Sequence, residues 1–334
     1  MSGSITAGLA PRAAAPTRGW AHPPWRILIA GAAWLALAGV TLGLPEADDL
    51  PETTTFGAGA AVLGLALLVL APVAGRLGTV GQRVRHWSPW LAVLALAFLA
   101  WEAATAKIAL LPMPFFPPPQ AIVEVFRDDW PRLGGSIVAS LVLLAGGYTI
   151  GAATGFALGV AIGASRAVGY WAHPVLRFVG PLPPTAWLPL AFFVFPSSWS
   201  ASTFLVALAT GFPVTVLTWS GVAGVNKAYF DVARTLGASR SFLILRVAIP
   251  AALPHVFVGL FMGLGASFVV LVVAEMLGVK SGLGWYLQWA QGWAAYANMY
   301  AALIVMALMC SSLITLLFRL RDRLLAWQKG LVQW

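Results

Sequence analysis

The sequence predicts an all-α fold, a polytopic transmembrane helical bundle of about eight spans. Three observations predict it. Hydrophobic residues make up 60% of the 334 positions and charged residues 9%, where a soluble domain carries roughly 25% charge. Apolar runs long enough to cross a bilayer recur along the chain. The basic residues between those runs fall mostly on one side. This composition excludes a water-soluble globule, and it excludes disorder, which needs low hydrophobicity and high charge. A formal net charge of +9 would point to nucleic acid in a soluble domain; here it reads as membrane orientation. The single cysteine, Cys310, excludes an internal disulfide framework, and no Cys/His spacing suits a metal. Neither a metal nor another cofactor is expected.

A helix rises about 1.5 Å per residue, so a hydrocarbon core of ~30 Å takes roughly 20 apolar residues. The runs are 27–44, 56–75, 89–106, 136–164, 174–195, 202–224, 253–277 and 298–320. A barrel would need ~10-residue alternating strands, and the sequence has none. The first run has the length of a signal-peptide core, but its 26-residue leader is long and no small-x-small cleavage site follows. It is expected to remain as a span.

Charge sets the direction. Arg12, Arg18 and Arg26 precede the first run, an acidic stretch from Glu46 to Glu52 follows it, and Arg76, Arg83 and Arg85 follow the second. Continued alternation puts Arg166, Arg177, Lys227, Arg234, Arg240, Arg246, Arg319, Arg321, Arg323 and Lys329 with the first tail, sixteen of the twenty basic residues in all. Lys107, Arg127, Arg132 and Lys280 fall opposite. The positive-inside rule then makes the sixteen-charge side cytoplasmic, with both termini there.

The third run carries Glu102, for which pairing with Lys107 is the simpler reading. The prolines of 111–120 forbid a helix there. Residues 121–132 then set Ile122, Val123, Val125, Phe126 and Trp130 against Glu124, Arg127, Asp128 and Asp129, an amphipathic stretch suited to the outer interface. The fourth run places Gly147, Gly151, Gly155, Gly159 and Gly163 on one helix ridge. Such a ridge lets another helix come close; a solute groove along it is the alternative. Thr215, Thr218, Ser220 and Ser267 are polar positions in later runs, and helical phase alone does not say which of them face a path. Glu275 lies near the outer end of the seventh run, where water reaches, and is a candidate for an outer gate. Trp285, Trp289 and Trp293 recur at four-residue spacing, either as an interfacial anchor or as an outer surface that meets another protein or covers a channel mouth.

Enzyme signatures fail. The four histidines lie far apart, no serine sits in a G-x-S-x-G elbow, and Gly278-Val-Lys-Ser281 lacks the glycines of a P-loop. No catalytic residue is expected.

The segment 226–250 is too polar to span and too apolar for a plain loop. Lys227 to Leu236 reads as a short helix with Tyr229, Val232, Ala233 and Leu236 on one face. Gly237 stands where a left-handed helix end would fall, and Ser239 or Ser241 can cap a second helix. Such an elbow either packs under the bundle or presents a docking surface.

Asp231, Val232, Ala233, three residues, Gly237, nine residues, then Val247, Ala248, Ile249 and Pro250 resemble the EAA loop of ABC importer permeases, E-A-A-x3-G-x9-I-x-L-P. The spacing is intact, with Asp for Glu, Val for Ala, Val for Ile and Ile for Leu. Gly180-Pro-Leu-Pro-Pro-Thr-Ala-Trp-Leu-Pro-Leu190, Ala274-Glu-Met-Leu-Gly278 and Ser281-Gly-Leu-Gly284 look like the nitrate, sulfonate, taurine and bicarbonate branch. The resemblance covers 89–330. It implies a six-span permease core there, a two-span addition over 27–88 and a basic tail over 1–26.

It further implies a bacterial inner-membrane, multi-pass subunit that carries a small, anionic solute. The implied partners are a second permease subunit (an identical chain in the simplest case), ABC ATPase subunits that hydrolyse the ATP, an extracytoplasmic substrate-binding protein and the lipid membrane; nucleic acid is not among them. Asp231, Val232, Ala233, Arg234, Leu236, Gly237 and Pro250 would form the coupling element. Arg234 and Arg240 would pair with acidic groups on the ATPase or merely aid solubility. Glu275, Thr215 and Ser267 are the candidates for gate or pathway. The competing class is an ATP-independent secondary transporter, which calls for intramembrane charge relays and repeated halves with broken helices. Residues 133–226 hold only Arg166 and Arg177 as charges.

Overall fold

A computed structural model of the chain describes residues 25–328. Arg12, Arg18 and Lys329, used above for orientation, lie outside the described residues, as does most of the basic tail. Within 25–328 all regular structure is helical, and two packing units separate: 25–113 with 118–121, and 114–117 with the remainder.

The first unit holds α1 (Trp25–Gly43), α2 (Thr53–Val73) and α3 (Gly78–Glu102). Helices α1 and α2 run antiparallel and meet at small residues. A Cβ on Gly31 would lie 3.0 Å from the Gly64 carbonyl oxygen, and one on Gly64 would lie 3.0 Å from that of Gly31. Without side chains there, dispersion contacts form between the backbones themselves. Ala92 and Ala95 of α3 join the same buried cluster, with Ile27, Leu37 and Leu67. Packing therefore sets α3 beside the two preceding helices, whereas the resemblance divides the chain before it, at 88.

A π turn, Ala103–Lys107, ends α3. Glu102 is fully buried there. It accepts from the Thr41 hydroxyl (2.7 Å) and the Gln120 amide (2.8 Å), with the Lys107 ammonium 3.9 Å away. Lys107 also donates to the carbonyls of Thr41 and Leu44 and lies 3.5 Å from Glu46. The pairing expected of Glu102 is present as one contact of a wider network.

The amphipathic α4 (Pro119–Asp128) straddles the division. It starts one residue before the end of the proline segment expected to be non-helical, because a proline is tolerated in a first turn. Its part in the second unit buries Ile122 and Val125. The core of the second unit is formed by α5 (Trp130–Ala164), the short α6 (Arg166–Val179) and α7 (Leu188–Val194), and α8 (Ser198–Ala223). The five-glycine ridge of α5 faces α8. The Cβ atoms that Gly147, Gly155, Gly159 and Gly163 lack would lie 2.6 Å from Val206, Gly211, Thr218 and Val222 in turn, and Gly151 meets Ala207 and Thr210. The pairs ascend together, so α5 and α8 run parallel in contact. The ridge is filled by α8, which leaves no groove along it.

Seven helices among the described residues are long and apolar enough to cross a membrane, one fewer than the eight runs in the sequence. The exception is 174–195. Pro181, Pro183 and Pro184 remove backbone donors and break this run into α6, a turn with a 3-10 segment (Pro184–Trp187), and α7. Because α5 and α8 are parallel, the chain between them travels back along α8, 26 residues or ~39 Å. Gly180 packs on Phe212, midway along α8, so the break sits at mid-depth.

Beyond α8 come α9 (Lys227–Thr235), the three-residue α10 (Arg240–Phe242) and α11 (Ile249–Gly278). Helix α11 packs antiparallel to α8, with Gly263 on Thr210 and Gly259 on Val214. The amphipathic α12 (Leu283–Gly292) and α13 (Tyr296–Leu324) complete the unit around buried Leu133, Leu283, Tyr286 and Met306. Trp285 and Trp289 pack partly into that cluster and only Trp293 is largely exposed, so the tryptophan repeat is mostly an internal face.

Candidate functional site

The elbow between α8 and α11 is built by local capping. Asn226 accepts from the Ala228 N–H (3.0 Å) and starts α9. At the other end the Ala238 N–H donates to the Ala233 carbonyl (3.0 Å) and the Gly237 N–H to that of Arg234 (2.9 Å). This is the Schellman pattern, and it needs a residue in the left-handed region. Gly237 supplies it, with φ at +80°. Ser239 accepts from the Phe242 N–H and starts α10. A π turn, Leu243–Ala248, then leads to Pro250 in the first turn of α11.

Helix α9 has two apolar faces. Phe230 packs inward against Val222 at the end of α8, Ala248 of the π turn and Ala252 in the first turn of α11. Tyr229, Val232 and Leu236, at spacings of three and four, point outward and are 61%, 61% and 83% exposed. Ala233, grouped with them by helical phase, is half-buried on the other face. The inward anchor Phe230 had a signal available, an aromatic one residue off the exposed stripe. Asp231 and Arg234 lie exposed, 3.6 Å apart, and Arg240 is exposed as well. The result is a short helix, capped at both ends and pinned from beneath, that presents an apolar stripe between charged residues.

The other candidate residues do not cluster with this elbow. Glu275, expected near water, is buried. The Ser140 hydroxyl lies 2.8 Å from both its oxygens, the Gly284 N–H donates to it (2.9 Å), and the Leu283 N–H donates to the Ser140 oxygen (2.8 Å). The carboxylate clamps the start of α12 to α5 and α11. Gly282, with φ at +112°, passes so close that a Cβ would meet the Glu275 carboxylate. Sequence reasoning missed Ser140, which lies 135 positions away and shares no motif with Glu275. Thr215 and Ser267 are also buried, and each hydroxyl donates to its own helix, to the Gly211 carbonyl (2.7 Å) and the Leu264 carbonyl (2.8 Å).

A second polar cluster ties α12 to the start of α5. The Tyr286 hydroxyl donates to Asp129 (2.7 Å) and accepts from Asn298 (2.7 Å), while Arg132 lies 3.4 Å from Asp129 and covers the Trp289 ring at 4.2 Å. Burial pushes the Tyr286 phenol above its ordinary range, which keeps it a donor.

Comparison with known proteins bears on most of the second unit. Residues 147–329 match the family described as "Binding-protein-dependent transport system inner membrane component". The chain is 29% identical to nitrate import permease protein NrtB of Synechococcus elongatus, over 75% of this chain and 91% of that protein. It is 28% identical to the putative aliphatic sulfonates transport permease protein SsuC of Bacillus subtilis, over 75% and 91%. It is 32% identical to taurine transport system permease protein TauC of Escherichia coli, over 71% and 87%.

Proposed function

The chain belongs to the binding-protein-dependent transport inner membrane components, and from that premise we propose that it is the permease subunit of an ABC importer, coupled to a separate ATPase through Asp231–Gly237. The solute is a small anion of the nitrate, sulfonate, taurine or bicarbonate class, in keeping with the names of its relatives. An extracytoplasmic binding protein delivers it, and two copies of the permease form the path. The broken segment α6–α7 makes the eighth crossing, and both termini face the cytoplasm. Residues 27–88 are an addition to the core.

One observation carries this reading. A rigid helix, pinned through Phe230 to the ends of two spans, exposes Tyr229, Val232 and Leu236. A flexible loop would absorb a push from a closing ATPase dimer, whereas a capped helix passes it on as a rigid-body motion of α8 and α11. Such motion opens the path to either side in alternation. The second permease and the ATPase are supplied by the family reading, not by any contact within this chain.

The test is uptake into cells or liposomes with the full complex. Gly237→Pro and Asp231→Lys are expected to abolish ATP-dependent transport while the bundle stays folded. Normal uptake in both variants would defeat the coupling assignment.

A further inference from the structure

Arg177 and His173 lie one helical turn apart on α6 and line an open groove of about 1000 Å³ with Tyr170, Phe212, Val216 and Trp219. The groove is at membrane depth. Phe212 stands 11 positions before the end of α8, ~16 Å along its axis. A charge at that depth is costly in lipid and is normally found facing a wet cavity or a partner charge. No carboxylate lies within ion-pair reach of Arg177 among the described residues, and 133–226 contains no acidic residue at all. Glu275, the carboxylate within α11, is engaged by Ser140 and Gly284.

The polar groups of this groove are a guanidinium, an imidazole, a phenol and an indole. The guanidinium and the indole are donors only, and no carboxylate lines the groove. The imidazole of His173 lies 4.4 Å from the Trp219 ring, which restrains it. A guanidinium fork matches two oxygens of a planar or tetrahedral oxyanion. Beside the groove, at the Pro181–Pro184 break, lies a cavity of about 390 Å³ that shares Phe212 and Val216 with it; Leu182, Met262 and Ala266 complete an apolar wall. Irregular backbone at membrane depth is tolerated where it lines such a cavity.

We propose that the two spaces form one station on the transport path, which takes a small organic anion. The sulfonate or carboxylate head sits on Arg177 beside His173, and an apolar body of a few carbons enters the cavity at the helix break. This deepens the importer reading and rests on it for the direction of transport. An inorganic oxyanion would use the head position alone and leave the apolar cavity unfilled, so the station favours the sulfonate-like end of the substrate class.

The test uses the full chain with its co-purified subunits in nanodiscs. Saturation-transfer NMR reads binding of 1-butanesulfonate and methanesulfonate, with nitrate as a proton-free competitor. Butanesulfonate is expected to bind at least ten times more tightly than methanesulfonate. Arg177→Gln should weaken butanesulfonate at least tenfold, Arg177→Lys less, and Trp171→Ala, on the same helix but outside the lining, not at all. Equal binding by wild type and Arg177→Gln overturns the site. Methanesulfonate or nitrate binding as tightly as butanesulfonate overturns the organic-anion assignment. The importer reading is tested separately. Arg177-dependent binding without any ATP-driven uptake defeats the importer and leaves the station. ATP-driven uptake with unaltered half-saturation in Arg177→Gln defeats the station and leaves the importer.

Discussion

At the scale of single residues, two glycines and one carboxylate carry the local geometry. Gly237 holds φ at +80°, where a Cβ costs ~1 kcal/mol. Gly237→Ala is expected to leave the bundle intact and to speed amide exchange at the end of α9 about fivefold, since local opening follows local stability. Unchanged exchange would show that the Schellman end does not limit the stability of α9. Glu275 accepts from the Gly284 N–H, and it also meets the Ser140 hydroxyl. Removing it strands buried donors at about 1–3 kcal/mol each. Glu275→Ala should lower the unfolding midpoint by several degrees, with Glu275→Gln closer to wild type because an acceptor remains. A midpoint equal to wild type for Glu275→Ala would mean that the clamp does not hold α12. This burial is also why a gate role was readable only as a candidate. The sequence places Glu275 near an outer end, while its exclusion from water depends on Ser140, 135 positions away.

At the scale of elements, small-residue seams replace the hydrophobic effect as the force between helices, because lipid is as apolar as the side chains. Gly155→Leu would drive a side chain into the Gly211 carbonyl, 2.6 Å from the missing Cβ. Overpacking of this kind costs about 1–3 kcal/mol or more. The variant should lose thermal stability in detergent, while Gly146→Leu, which meets nothing within 4 Å, should not; equal stability of the two would contradict the seam. That α8 rather than a solute groove occupies the ridge needed the structure, but the ridge itself was legible in advance, since a four-residue glycine period lines one face of a helix. So were the capped α9 and the turn at Gly237, which rest on local signals. The run 174–195 reads as a plain span in a hydropathy count, yet Pro181, Pro183 and Pro184 break it. Hydropathy averages over a window, and backbone donors do not enter it. The parallel pairing of α5 with α8 was not legible either, because register between helices is a tertiary property.

At the scale of the whole molecule, charge and coupling make one account. On the proposed topology the α9 elbow, with Lys227, Arg234, Arg240 and Arg246 in it and after it, faces the cytoplasm, the side where an ATPase would be met. With Cys310→Ser as background, a cysteine placed at Asp48 should react with a membrane-impermeant reagent from outside. One at Gly237 should react only after the membrane is opened. The reverse pattern would invert the topology and remove the elbow from any cytoplasmic partner. The central claim is that this elbow docks a nucleotide-hydrolysing subunit. The most direct measurement is to extract the tagged chain in mild detergent and to determine the stoichiometry of the subunit that elutes with it, for wild type, Asp231→Lys and Leu236→Asp. The account predicts a stoichiometric ATPase with wild type and its loss from both variants, which still elute as folded permease. A chain that elutes alone and takes up solute in liposomes without ATP would contradict the account and make a secondary transporter the working description.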